Sequence, residues 1–253
     1  GTAETTSKGE IFMYGMYGYG YGYGFDPTII LVLIGVALSL WAQGRVNSTF
    51  SRYSRVRSMT GMTGAEAARR LLNAQGIYDV TVQPIAGELT DHYDPRTKTV
   101  NLSQSVYGAT SVAAIGVAAH ECGHAMQDNE GYAPLRFRSA LVPAANFGSK
   151  LSWPLILLGL VFGGLGSPLV EIGILMFSLA VLFQLVTLPV EYNASARAVR
   201  LLDSQGILAG EEVSGTRKVL NAAALTYVAA AATSILQLLR LIILFGGRNR
   251  RDN

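Results

Sequence analysis

Charge and cysteine are both scarce in this sequence. Only 15% of the 253 residues are Asp, Glu, Lys or Arg, against roughly 25% in soluble globular domains, while 50% are hydrophobic. This shortage of charge excludes an ordinary water-facing surface over much of the chain and indicates that lipid is part of its solvent. The single cysteine, Cys122, excludes an intramolecular disulfide.

A concentrated positive charge is missing as well. The net charge is only +3, and no run alternates basic with aromatic residues as a nucleic-acid stacking platform would. We therefore expect no nucleic acid among the partners of this protein, and we expect a lipid bilayer instead.

The first long apolar segment, residues 28–43, predicts a transmembrane anchor. It is uncharged and follows a Tyr/Gly-rich tract whose tyrosines suit the headgroup level of a bilayer. A signal peptide is the alternative, but the preceding region is not basic and no small-residue cleavage site follows. Four arginines and no acid come next: Arg45, Arg52, Arg55 and Arg57. The positive-inside rule places that end in the cytoplasm and leaves residues 1–27 outside.

Two further apolar regions follow. Residues 151–190 are interrupted by a Gly/Pro break at 163–168, which predicts an antiparallel transmembrane hairpin that leaves and re-enters on one side. Residues 222–245 contain Arg240 and precede more arginines, which a crossing would carry outside, so we expect an amphipathic or half-inserted helix there. The sequence thus predicts about three transmembrane helices.

The polar residues 44–150, between the anchor and the hairpin, are numerous enough for a compact folded unit. Thr63 and Glu66 have the spacing of a capping box, which predicts the start of a helix. Apolar and polar side chains alternate in residues 80–85 and 98–103, so these segments predict a small antiparallel sheet.

The strongest chemical signal is the pattern H-E-C-G-H, which begins at His120 on a predicted alanine-rich helix. His120 and His124 are four residues apart, so both imidazoles lie on one helix face and can reach one zinc ion. Glu121 lies beside them and predicts a general base that takes a proton from a zinc-activated water. The alternative, two core histidines bonded to backbone, would be costly in so apolar a helix. Cys122 is expected to point away from the metal as a small buried residue.

A hydrolytic zinc site needs a third protein ligand. Glu130 follows the motif closely, but Gln127 stands where the related arrangement has its turn glycine. Glu191, at the re-entry end of the hairpin, fits better, and Ser195 four residues later is a candidate hydrogen-bond partner of a ligand. The alternative for Glu191 is an acid favoured by the dipole of a helix N-terminus.

Oxyanion stabilisation is left with several candidates. His92 and Tyr93 lie in the loop predicted before the second strand and are candidates to reach the cleft. Arg96 and Arg197 are equally open as partners of an oxyanion or of a substrate carboxylate. A surface turn histidine is the alternative for His92.

Four stretches carry a resemblance to a known family: LTDHYDPRTKTVNLS, VAAHECGHAMQ, LPVEYNASARA and LNAAALTYVAAAATS. They resemble the YugP-like neutral zinc metallopeptidases of bacteria, from about residue 29 onward. More distantly, the chain looks like the HtpX-type membrane gluzincins. This resemblance implies a bacterial membrane enzyme, one zinc ion per chain and Glu191 as its third ligand. Ser195 stands where the HtpX type has an acid.

Together these observations predict a mainly α protein with a small antiparallel β-sheet and a gluzincin-like catalytic domain. We expect an extracytoplasmic tail (1–27), a transmembrane anchor (28–43) and a catalytic domain (44–150). A transmembrane hairpin (151–190) and a third-ligand region with the last apolar helix (191–253) follow.

The expected function is that of a multi-pass membrane zinc endopeptidase whose active site faces the cytoplasm. Its substrates would be peptides or proteins, membrane proteins among them, lying as an added strand along the 98–103 edge. Partner proteins are not predicted. A non-catalytic metal-binding membrane scaffold is the alternative. A third hypothesis is a site between transmembrane helices that cleaves within the bilayer.

Overall fold

The computed structural model describes residues 26–164 and 167–246. The Tyr/Gly tract and the terminal Arg248, Arg250 and Arg251, with the expectations that rest on them, lie outside these ranges. Within them the chain forms seven helices and one three-stranded sheet. The helices are α1 (Ile29–Tyr53), α2 (Gly64–Ala74), α3 (Gln104–Tyr107), α4 (Val112–Asn129), α5 (Ala133–Gly163), α6 (Pro168–Ser204) and α7 (Glu211–Phe245).

Four helices of the described chain, α1, α5, α6 and α7, are long and apolar enough to cross a membrane. The sequence predicted about three transmembrane helices. The additional candidate is α7, which contains the last apolar stretch and is 35 residues long. The charge of Arg240 is satisfied locally, because its guanidinium lies 2.8 Å from the Asp26 carboxylate and donates to the Thr28 hydroxyl at 3.2 Å. An apolar helix tolerates such a paired charge near its end.

The long helices pack in two antiparallel pairs, α5 with α6 and α1 with α7, and α6 also packs on α7. Small residues bring their backbones close together. A Cβ at Gly148 of α5 would lie 2.5 Å from the Met176 carbonyl oxygen of α6. In the other pair, the Thr233 hydroxyl of α7 donates to the Gly35 carbonyl of α1 at 3.1 Å.

The sheet is mixed, so the expectation of an antiparallel sheet was wrong. Its strands β1 (Thr81–Ile85), β2 (His92–Asp94) and β3 (Thr99–Ser103) lie in the order β1-β3-β2. A turn in which Lys98 has a positive φ of 53° pairs β2 with β3 in an antiparallel hairpin, and β1 adds to the other side of β3 in parallel. Since β3 is the central strand, it offers no open edge to a peptide, and that docking expectation was also wrong.

The predicted capping box of α2 is confirmed. Thr63 accepts from the Glu66 backbone N–H at 3.2 Å, and the Thr63 N–H donates to the Glu66 carboxylate at 2.8 Å. That backbone hydrogen bond lowers the pKa of Glu66. The helix ends before Gly76, whose φ of 69° is the left-handed conformation of a helix terminus.

The polar half of the molecule is built around α4. The apolar side chains of α2, β1, β3, the C-terminal turns of α6 and the N-terminal turns of α7 close on α4 and form one continuous core with it. Ser111 caps the helix by accepting from the Ala114 N–H at 3.2 Å. The alanine-rich sequence therefore becomes a helix enclosed by protein, and it carries the H-E-C-G-H residues inside the fold.

Candidate metal centre

Three potential metal-ligand atoms converge where α4 meets α6. The His120 Nε2 and His124 Nε2 atoms lie 3.2 Å and 3.5 Å from the Glu191 Oε2 atom. The three groups can offer ligand atoms that all lie within 4.8 Å of one another. Glu191 is only 2% exposed, so its carboxylate is buried against the two imidazoles. A buried carboxylate with two imidazole nitrogens is a donor set that zinc prefers, and the residues fit a zinc ion.

The second nitrogen of each imidazole is also engaged. The His120 Nδ1 atom lies 3.0 Å from the Ser195 hydroxyl oxygen, and the His124 Nδ1 atom lies 3.0 Å from the Gln127 Oε1 atom. Such outer partners fix the orientation of a ligand imidazole and select its tautomer. Both Nε2 atoms are thereby left facing the carboxylate.

Gln127 also holds α4 to α6. This fully buried side chain donates from Nε2 to the Val190 carbonyl and to the Asn193 Oδ1 atom, both at 2.9 Å. The amide thus connects the His124 ring with the backbone just before Glu191. The sequence analysis treated Gln127 only as a departure from another motif and missed this role.

Arg197 braces the outer side of this network. The Arg197 Nε atom donates to the Asn193 Oδ1 atom at 2.7 Å, and the Arg197 Nη1 atom donates to the Glu130 carboxylate at 2.6 Å. The same ion pair lowers the pKa of Glu130. Glu130, the alternative ligand, is thus bound to Arg197 and is not part of the ligand cluster.

Glu121 is turned into a cavity beside the cluster. The cavity has a volume of about 150 Å³, and its lining includes His120, Glu121, Glu191 and Ser195. Within the described ranges, the Glu121 carboxylate has no hydrogen bond or ion pair. A carboxylate that forms no hydrogen bond and lies close to the ligands can exchange a proton with a water in this cavity.

Sequence reasoning missed two further polar side chains at the site. Tyr227 of α7 lines the cavity and interacts with the Glu191 carboxylate. The Arg138 Nη2 atom of α5 lies 4.0 Å from the Glu191 Oε1 atom, and the guanidinium lies over the Phe183 ring. The buried Nε atom of Arg138 has no hydrogen-bond partner among the described residues. Each is a polar residue in a weakly charged helix, which is the one signal that could have singled them out.

His92 and Tyr93 lie on strand β2 and are not among the residues that line the cavity. The His92 ring nitrogens lie 2.8 Å from the Thr90 carbonyl and 3.2 Å from the Asn101 side-chain amide. The Tyr93 hydroxyl donates to Asp128 at 2.8 Å, and burial together with that carboxylate raises the pKa of Tyr93. The polar atoms of both side chains are therefore bonded to residues around the sheet or to Asp128 at the C-terminal end of α4.

Arg96 is also away from the cavity lining, in the turn after β2. Its guanidinium lies 3.5 Å from the Asp94 carboxylate and is largely exposed to solvent. The contact of Arg96 with Asp94 stabilises the turn of the hairpin and does not involve the metal ligands.

Electrostatics around the ligands differ from one side chain to the next. Burial would lower the pKa of His124, but the Glu191 and Glu121 carboxylates outweigh it and raise the pKa. Burial raises the pKa of the Cys122 thiol, which is fully enclosed on the far side of α4 against the Ala68 carbonyl. The expectation of a small buried cysteine is confirmed.

Comparison with known proteins gives two matches. A family model described as "Putative neutral zinc metallopeptidase" matches residues 28–246. A Bacillus subtilis (strain 168) protein named "Putative membrane protease YugP" is 49% identical over 224 residues, which cover 88% of this chain and 98% of that protein. No solved structure matches the chain.

Proposed function

The chain belongs to the family described as "Putative neutral zinc metallopeptidase", and from that premise we propose that it is a membrane-bound zinc endopeptidase of the gluzincin type. One observation carries the proposal: two imidazole Nε2 atoms and a buried carboxylate oxygen converge beside a cavity into which Glu121 is turned. His120, His124 and Glu191 would hold one zinc ion per chain.

The chemistry is hydrolysis of a peptide bond. Zinc, when bound, supplies the positive charge that acidifies water and polarises the peptide carbonyl. Glu121 takes a proton from the attacking water as the water oxygen bonds to the carbonyl carbon, and then passes that proton to the leaving amine as the C–N bond breaks. The Ser195 and Gln127 contacts keep the two imidazoles oriented throughout.

Tyr227 is the side chain we assign to the developing oxyanion. Tyr227 lines the cavity from α7, and Glu121 lines the same cavity from α4. A preorganised donor at the place where negative charge develops lowers the barrier more than it favours the substrate. The geometry favours Tyr227 over His92 and Tyr93, whose polar atoms are bonded elsewhere.

The active site is proposed to face the cytoplasm in a bacterial cell membrane that the chain crosses several times. The arginines after α1 mark the cytoplasmic end of that helix by the positive-inside rule. A cavity lined by Arg45 and Arg52 is also lined by Tyr192, the residue after Glu191. The ligand cluster therefore lies at the arginine-rich end of the helices.

The test is metal analysis together with a Glu121→Gln variant, purified in detergent and assayed on unfolded casein-derived peptides. The variant should keep its zinc, and the hydrolysis rate should fall by about 10²- to 10⁴-fold, because only the proton acceptor is lost. Glu211→Gln, an exposed acid at the start of α7, is the matched control and should hydrolyse peptides like the parent.

Two results would contradict the proposal. Undiminished hydrolysis by zinc-loaded Glu121→Gln would remove Glu121 as the base. Full zinc loading with no hydrolysis of any peptide, and with four closed protein ligands by X-ray absorption, would favour the non-catalytic scaffold instead.

A further inference from the structure

The metal cavity adjoins a longer groove. A second cavity of about 470 Å³ shares Ser195 and Leu220 with it, and a third cavity of about 690 Å³ shares Tyr192 and Asn221 with the second. Shared lining residues place the three spaces side by side. The groove, which we define as the second and third cavities, leads from the ligand cluster towards the cytoplasmic end of α1.

The charge of this groove is strongly one-sided. Asp203 is the acid among its lining residues. Five cations from three helices line it: Arg45, Arg52, Arg200, Arg217 and Lys218. None of the five forms an ion pair within residues 26–164 and 167–246. Arg200 acts on Glu130 at longer range and helps to lower its pKa. In a protein with so little charge overall, five cations with one acid beside them mark a surface that attracts negative charge.

The neutral lining between the cations suits a polypeptide. Tyr192, Asn221, Ser48 and Thr49 offer hydroxyl and amide groups to a peptide backbone, and Leu220 and Leu225 offer apolar contact. A mostly apolar and neutral lining with a few placed charges is typical of a ligand-binding cleft.

We infer that the groove selects peptide substrates that carry acidic residues to one side of the bond to be cleaved. This inference rests on the proposed function and names the substrate class of the same site. The extent of the charge favours a peptide over an anionic lipid headgroup, because a headgroup would occupy one cavity, whereas the cations line two adjacent cavities beside the ligand cluster.

The experiment compares matched peptides that differ only in Glu or Gln at positions flanking one cleavable bond. The parent protein should cleave the Glu peptide with a kcat/KM on the order of tenfold higher, as expected for about 1.4 kcal/mol of added ion pairing. Arg45→Glu and Lys218→Glu should each lower the Glu-to-Gln ratio. Arg55→Glu removes the same charge from the segment after α1 without lining the groove, and should keep the ratio.

Binding is measured separately, so that the proposed function and the inference can fail independently. Fluorescence anisotropy with the Glu121→Gln protein should show tighter binding of the Glu peptide, an advantage that shrinks as salt is raised. If no peptide is hydrolysed but this preference persists and is lost in Lys218→Glu, the hydrolytic function fails and the groove assignment stands.

Equal binding of the two peptides, or an unchanged ratio in both groove variants, would overturn the inference. It would also be overturned if Lys218→Glu left the peptide ratio intact and instead lost retention of phosphatidylglycerol from nanodiscs containing phosphatidylcholine and phosphatidylglycerol, since the groove would then serve a lipid headgroup.

Discussion

Two alanine-rich helices, α4 and α7, have similar sequences and opposite surroundings. Fourteen of the 18 residues of α4 are buried by protein, against ten of the 35 residues of α7. Large apolar side chains of α7 remain exposed, among them Val228, Ile235 and Ile242. Apolar composition alone therefore does not distinguish a helix of the protein core from a helix that faces lipid. The distinction depends on whether other parts of the protein cover the helix.

The comparison also separates two kinds of polar residue. In α4 the polar side chains are embedded in protein and each of His120, His124 and Gln127 has a specified partner. In α7 the charged Arg240 lies near a helix end and has one ion pair. We expect substitutions at the α4 contacts to damage the metal centre and those on the exposed face of α7 to be tolerated.

The largest effect is expected from Gly123→Ala in α4. A Cβ there would lie 2.6 Å from the Ala194 carbonyl oxygen, so α4 and α6 must separate, at a cost of about 1–3 kcal/mol for overpacking. Zinc content by mass spectrometry should fall well below one per chain. Gly44→Ala in α1, where a Cβ would meet nothing within 4 Å, is the control and should keep its zinc. Full zinc loading of Gly123→Ala would show that the close α4–α6 approach is unnecessary.

An intermediate effect is expected from Gln127→Met. Losing the amide frees the His124 ring and leaves the Val190 carbonyl unpaired, so zinc affinity should fall by about 10- to 100-fold in competition with a chelator. Gln237→Met makes the same chemical change in α7 and should leave the affinity unchanged. Equal affinities for the two variants would remove the contrast between the helices.

The smallest effect is expected at the Asp26–Arg240 pair. The Thr28 hydroxyl and then Arg240 lower the pKa of Asp26 from 3.8, so its contribution to stability is present above pH 3.8 and is lost as the pH falls through the lower folded value. Asp26→Asn should therefore lower the melting temperature slightly at neutral pH, and the gap to the parent should close in acid. The exposed Glu88→Gln is the control, and a gap that persists unchanged at low pH would contradict the assignment.

Local features were the part of the fold and site that sequence could predict. The capping box of Thr63 and Glu66 and the helical spacing of His120 and His124 depend on residues within one turn of each other. Glu191 could be proposed because it lies at the re-entry end of the apolar hairpin, and the family resemblance implied it as the third ligand. The structure brings it to the two imidazoles, together with Ser195.

The remainder depends on which elements become neighbours. Tyr227 lines the cavity and Arg138 approaches Glu191 from helices that no local pattern assigns to α4. The antiparallel sheet was a wrong prediction because β2, only three residues long, takes the antiparallel side of β3 and leaves β1 the parallel one. The last apolar helix was predicted as amphipathic or half-inserted because a crossing would carry its arginines outside, and the Asp26 partner of Arg240 lies near the opposite end of the chain.

The helix α6 runs without interruption from Pro168 to Ser204, and Glu191 lies where its apolar part gives way to its polar part. Pro189 lies inside this helix, two residues before Glu191. Under the proposed function, a helix that crosses the bilayer and supplies a metal ligand fixes how far from the lipid surface a peptide bond is cut, so the distance of a bond from the membrane would decide whether it is cleaved.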